Sequence, residues 1–156
     1  MEPAEEAEVC GLIARVFRGS VAPLYSEQGV DEFLNYVRPG SIPVRLKRNH
    51  FVLVAVQGER IVGVAEVRDE HHISLLFVDA DFQKRGIGRA LVRQALESAR
   101  ATRDDLPAVT VNSSPNAVSF YRRLGFEPSG PEQTIDGLSF VPMIQRSPEG
   151  NGPGIA

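Results

Sequence analysis

Gln83-Lys84-Arg85-Gly86-Ile87-Gly88-Arg89 stands between a strand-like run that ends at Val78 and a stretch with helical spacing of its apolar residues. A strand that feeds a glycine-rich turn and then a helix restricts both the fold and its ligand. The turn exposes backbone N–H groups at the positive end of the helix, and the glycines let a ligand approach the main chain. Lys84, Arg85 and Arg89 gather positive charge there, on a chain whose formal net charge is −3. This is the chemistry of a pyrophosphate site. A Walker loop needs Gly-Lys followed by Ser or Thr, which the chain lacks. A dinucleotide fingerprint needs Gly or Ala three residues after the second glycine, where Leu91 stands, and it opens a βαβ unit instead of following a meander. The remaining alternative is a glycine-rich helix start that binds nothing.

The elements around the turn follow from periodicity. Val9, Leu12, Ile13, Val16 and Phe17 predict a helix over about 5–18, and Val30, Phe33, Leu34 and Val37 a second, capped by Ser26 and stopped by Pro39-Gly40. Residues 39–49 read as a basic loop. Two β-rich runs, 51–56 and 60–67, flank Gln57-Gly58-Glu59 and predict an antiparallel hairpin, with a third strand over 73–78. Leu91, Val92, Ala95, Leu96 and Ala99 define the helix after the turn. A short strand over 109–111 follows, then a helix with Ser114 as N-cap, Pro115 at its first position and Gly125 as its stop. The runs 126–134 and 138–145 predict a closing hairpin.

With 156 residues, 42% of them apolar and 24% charged, the chain predicts a single domain over 1–146 and a mobile tail over 147–156. The net negative charge argues against nucleic acid as a partner. The acidic start and the lack of a long apolar run predict a cytoplasmic protein with no membrane partner. Cys10 is the only cysteine, which excludes an intrachain disulfide and reads as a packing residue more readily than as a nucleophile.

The run from Leu76 through Phe77, Val78 and Gln83 to Leu91 resembles the coenzyme-A signature of the Gcn5-related N-acetyltransferases (GNAT), Gln/Arg-x-x-Gly-x-Gly/Ala. Asn116-Ala117-Val118-Ser119-Phe120-Tyr121-Arg122-Arg123-Leu124-Gly125-Phe126 is similar to a second block of that family. The resemblance implies an α/β (α+β) fold: a mixed, mostly antiparallel twisted sheet with splayed central strands, flanked by about four helices. It implies acetyl-coenzyme A as cosubstrate, no metal, an amine acceptor and a possible homodimer. Main-chain groups at Leu76, Phe77 and Val78 would bond the pantetheine arm. Gln83, Lys84, Arg85, Gly86, Ile87, Gly88 and Arg89 would hold the pyrophosphate, with Asn116 and Tyr121 also at the coenzyme. The family usually opens with a strand before its first helix, whereas this chain starts almost directly in the helix.

Direct transfer needs a neutral amine, a donor for the oxyanion and a proton for the thiolate. A backbone N–H near Leu76 suits the oxyanion. Tyr121 matches the family's usual general acid and, with a phenol pKa near 10, suits protonation of a thiolate; packing beside Phe120 is the other reading. His72 matches a position where the family carries a base, and an exposed strand-end histidine is its alternative. Glu66 interrupts an apolar strand and is either a second candidate base or a partner of Arg68. Asn112 either faces the substrate channel or ends its strand. Phe17, Tyr25, Phe33 and the closing hairpin fall where the family builds its acceptor pocket. Glu66, Asp69, Glu70 and Glu132 suggest a cationic acceptor. A non-catalytic acetyl-coenzyme A sensor, or an acyltransferase with another acyl group or a hydroxyl acceptor, are the rival functions.

Overall fold

Phe51–Gln57 (β1) and Arg60–Arg68 (β2) form the antiparallel hairpin, joined through Gly58 at φ +63°, and His72–Val78 (β3) adds to β2 in the same sense. The computed structural model describes residues 3–38, 40, 50–102 and 105–146. The expected basic loop, apart from Gly40, and the expected mobile tail lie outside the described residues. Ala108–Ser113 (β4), Glu127–Pro128 (β5), Gln133–Ile135 (β6) and Leu138–Arg146 (β7) complete a seven-stranded sheet ordered β1-β2-β3-β4-β7-β5, with β6 on β7. Among the described residues every pairing is antiparallel except β3 with β4, which is parallel and holds only at His72↔Thr110 and Ile73↔Val111. The sheet is therefore mixed, mostly antiparallel and parted at its centre.

Both faces are covered. Glu6–Val16 (α1) packs Val9, Leu12, Ile13 and Val16 with Ile61, Val64 and Leu75 on one face. On the other, Ile87–Thr102 (α3) packs Val92, Ala95, Leu96 and Ala99 with Val67, Ile73 and Val109. Burying each such side chain contributes roughly 1.5–3 kcal/mol against the entropy of ordering. Burial on both sides explains why β2 is buried without a break from Ile61 to Val67. Glu27–Tyr36 (α2) starts at Ser26, whose side chain accepts from the Gly29 N–H at 3.1 Å, and Val118–Arg123 (α4) packs near β4. No described helix is long and apolar enough to cross a membrane.

Four sequence expectations change. The first helix continues as a π turn over Phe17–Val21 and a 3-10 turn over Ala22–Leu24. The second ends at Tyr36, before Pro39. The expected continuous strand over 126–134 is two short pieces, because Pro128 and Pro131 cannot donate to a ladder. Ser114 does not cap through its side chain; its hydroxyl donates to Asn116 Oδ1 at 2.7 Å, and a 3-10 turn, Pro115–Ala117, precedes α4. Among the described residues no strand precedes α1.

Candidate active site

The glycine turn leads directly into α3. Lys84 at φ +63° and Gly86 at φ +87° are left-handed, a conformation that turns successive N–H groups toward one side. A Cβ on Gly86 would meet nothing within 4 Å. Its glycine is thus required by backbone conformation, and the space beside it is open. Gly88 lies against the Phe120 ring and Val78, where a Cβ would come within 3.4 Å of the ring. This contact seats the first turn of α3 beside the end of β3. Gln83 Nε2 donates to the Val78 carbonyl at 2.9 Å, tying the turn to the strand. Lys84, Arg85 and Arg89 are exposed around the helix start, and Arg85 also stacks over Phe82, 5.2 Å from the ring centre. Free N–H groups, three cations and open space fit a pyrophosphate.

Buried Asp79 holds the approach to this turn. It accepts from the Asp81 N–H at 3.0 Å and from Arg15 and Arg60 at 2.9 and 2.7 Å. The backbone bond from Asp81 first, and then the two guanidiniums, outweigh its desolvation and hold its carboxyl below the usual carboxylate range.

Beyond Ile73, β3 has no register partner on β4, so the main chain of Leu76, Phe77 and Val78 borders the gap between the strands. Around the parting point lies a cleft of about 270 Å³. Phe33 and Tyr36 of α2 form one wall, His72, Ser74 and Leu75 of β3 another, and Arg68, Asn112 and Leu138 extend it, with Glu32 and Asp136 beside α2 and the closing turn. Phe33 is braced by a stack on Phe17, with ring centres 4.0 Å apart, and a tilted contact with Phe77 at 5.6 Å. The helix and the hairpin tip are locked together at Gly29 and Gly137, where a Cβ on Gly29 would collide with the Gly137 carbonyl. Asp136 and Gly137 both have positive φ, as a two-residue type I′ turn needs.

A bulge shapes the floor. Glu66 pairs with Leu75 but Val67 with Ile73, leaving Ser74 extra. The side-chain alternation flips there: Ile73 joins the core under α3, whereas Leu75 joins the core under α1. Ser74 Oγ donates to the Glu66 carbonyl at 3.3 Å, fixing the bulge.

His72 lines the cleft, and its Nδ1 lies 2.7 Å from Thr110 Oγ1. Burial, then Arg68 and His71, lower its pKa to about 4. The ring is neutral at neutral pH, and if Nδ1–H donates to Thr110, Nε2 carries the free lone pair. Glu66 is 1% exposed and accepts from the Tyr36 hydroxyl at 3.2 Å. Tyr36 reaches the cleft, so Glu66 sits behind it. Arg68 lines the cleft beside His72. Tyr121 is buried against Phe120 and Phe126, in the cluster that contains Ile73 and Val111 at the parting point. Burial raises its phenol well above 10, so it keeps its proton throughout the neutral range. Asn116 is exposed and held by Ser114.

The expected groups thus fall in several places: Gln83 through Arg89 at the start of α3, His72 with Asn112 in the cleft, Glu66 behind Tyr36, Tyr121 in the core at the parting point and Asn116 exposed before α4. Asp69, Glu70 and Glu132 do not line that cleft, and the acidic residues there are Glu32 and Asp136. Sequence reasoning missed Tyr36, Thr110, Glu32 and Asp136. Tyr36 lies three residues after Phe33, a helical spacing that marks a shared face.

A sheet parted between a parallel pair, with a glycine turn at the following helix, defines an acetyltransferase-type fold. The sequence matches the family described as acetyltransferase (GNAT) domain over residues 21–146, and the chain belongs to that family. It is 26% identical over 126 residues to the uncharacterized N-acetyltransferase YafP of Escherichia coli (strain K12), covering 81% of this chain and 77% of YafP. The chain spans between 28% and 77% of the lengths of the first curated relatives it matches. A crystal structure of a GCN5-related N-acetyltransferase from Rhodopseudomonas palustris superposes with a TM-score of 0.79 at 24% identity, covering 94% of this chain and 92% of that one. PaiA N-acetyltransferase from Thermoplasma acidophilum, solved in complex with coenzyme A, gives 0.77 at 14% identity, covering 94% and 96%. These two likenesses establish the fold.

Proposed function

We propose that the protein transfers an acetyl group directly from acetyl-coenzyme A to an amine in a ternary complex, within one catalytic domain over residues 1–146. The observation that carries this reading is the open, left-handed turn at Gly86, set at the N-terminus of α3 beside the gap between β3 and β4. The coenzyme in the Thermoplasma acidophilum complex supports the same ligand here. The pyrophosphate lies on residues 83–89, and the pantetheine arm runs along Leu76, Phe77 and Val78 with Asn116 nearby.

In this reading the amine nitrogen attacks the thioester carbon from the cleft. A β3 main-chain N–H near Leu76 holds the oxyanion. The carbon–sulfur bond then breaks, and Tyr121 gives its proton to the thiolate. The amine proton leaves to His72 Nε2, directly or through water, with Glu66 and Tyr36 behind it as a second acceptor path. The ring is neutral at pH 7 and so carries a lone pair for the proton, while its lowered pKa makes it a weaker base than a free imidazole.

Free-thiol release, followed with acetyl-coenzyme A and a panel of amines, tests this. Release that depends on an amine supports transfer. Binding of the coenzyme without release on any amine would instead support a sensor.

A further inference from the structure

We infer that the acceptor is a free α-amino acid, with its carboxylate held by Arg68 and its amine beside His72; this rests on the transfer reading above. The Arg68 side chain is 43% exposed, but its Nε atom is buried and, among the described residues, has no hydrogen-bond partner. Its nearest carboxylate oxygen, Asp69 Oδ2, is 4.0 Å away on an exposed side chain, too far for a hydrogen bond. A buried donor left unpaired is unfavourable, and a guanidinium is shaped to bind a carboxylate through two parallel bonds. Arg68 lines the acceptor cleft and not the coenzyme turn, so the anion it awaits belongs to the acceptor.

The register supplies the spacing. Arg68 and His72 are direct partners across β2 and β3, and such partners have Cα atoms about 4.5–5.5 Å apart. Side chains that start from adjacent positions suit an amine at His72 and a carboxylate at Arg68 that are close neighbours in the ligand, as on one α-carbon. Glu32 and Asp136, both exposed, also line the cleft. They attract the ammonium form of the same zwitterion and disfavour an acceptor with a second negative charge. Phe33, Leu75 and Leu138 offer an apolar lining for a side chain, in a volume of about 270 Å³ that suits a small molecule.

The test compares matched pairs, an amino acid and its decarboxylated amine, such as phenylalanine with phenethylamine and leucine with isoamylamine, by thiol release. The wild type should favour the amino acid in kcat/KM by on the order of tenfold or more. Arg68→Gln should bring the ratio to about 1, and Arg68→Lys should keep part of it. Equal or better use of the decarboxylated amines, turnover of no amino acid, or a ratio that survives Arg68→Gln overturns the inference. Should Arg68→Gln fail to fold, the wild-type ratio decides alone. Parallel titration with acetyl-coenzyme A separates the two levels: no binding overturns the transfer reading and the inference with it, whereas binding without amino-acid preference overturns the inference alone.

Discussion

His72 Nδ1 and Thr110 Oγ1 meet at 2.7 Å across the one parallel pairing among the described residues, at the point where β3 and β4 begin to part. The bond orients the imidazole where the cleft opens. Thr110→Val removes the oxygen, and kcat is predicted to fall about fivefold, the equivalent of one net hydrogen bond. His72→Gln is predicted to lower kcat on the order of a hundredfold. Steady-state rates at saturating acetyl-coenzyme A check both, and an unchanged kcat in His72→Gln would assign the proton elsewhere.

The lowered pKa of His72 makes stability depend on pH. The fold favours the neutral ring, so this stabilisation is fully present above the unfolded value of about 6.5 and is lost as pH falls toward about 4. Asp79 has the opposite chemistry and a lower window: its stabilisation is complete above the ordinary carboxylate value and is lost as pH falls below it. Denaturant midpoints measured from pH 7 to 4 should decline in the wild type. The decline should be shallower in His72→Gln.

Tyr121→Phe keeps the ring contacts with Phe120 and Phe126. It is predicted to cut kcat on the order of a hundredfold with little change in Tm. A purely structural tyrosine would leave kcat in place.

Gly29→Ala drives a methyl into the Gly137 carbonyl and separates α2 from the hairpin tip. The predicted cost is about 1–3 kcal/mol, with a raised acceptor KM and unchanged affinity for acetyl-coenzyme A. Thermal melts and two-substrate kinetics distinguish this from general unfolding.

The parts legible in the sequence were local ones. The turn at Gly86 is legible because strand, glycines and helix are adjacent, and the Gly58 hairpin because its two strands are β-rich and its turn short. The acceptor wall was not, since Tyr36 reaches Glu66 over 30 residues and His72 reaches Thr110 over 38. The bulge at Ser74 is invisible to a period-two pattern, yet it decides which side chains of β3 face each core. Pro128 and Pro131 are visible in the sequence, and their missing N–H groups interrupt the ladder.

The central claim is that the Gly86 turn binds acetyl-coenzyme A, and calorimetric titration of the wild type and Gly86→Glu tests it most directly, with circular dichroism confirming that both are folded. One saturable site in the wild type, weakened by salt and lost in the variant, is the predicted result. No binding to the folded wild type, or equal binding to Gly86→Glu, would contradict it.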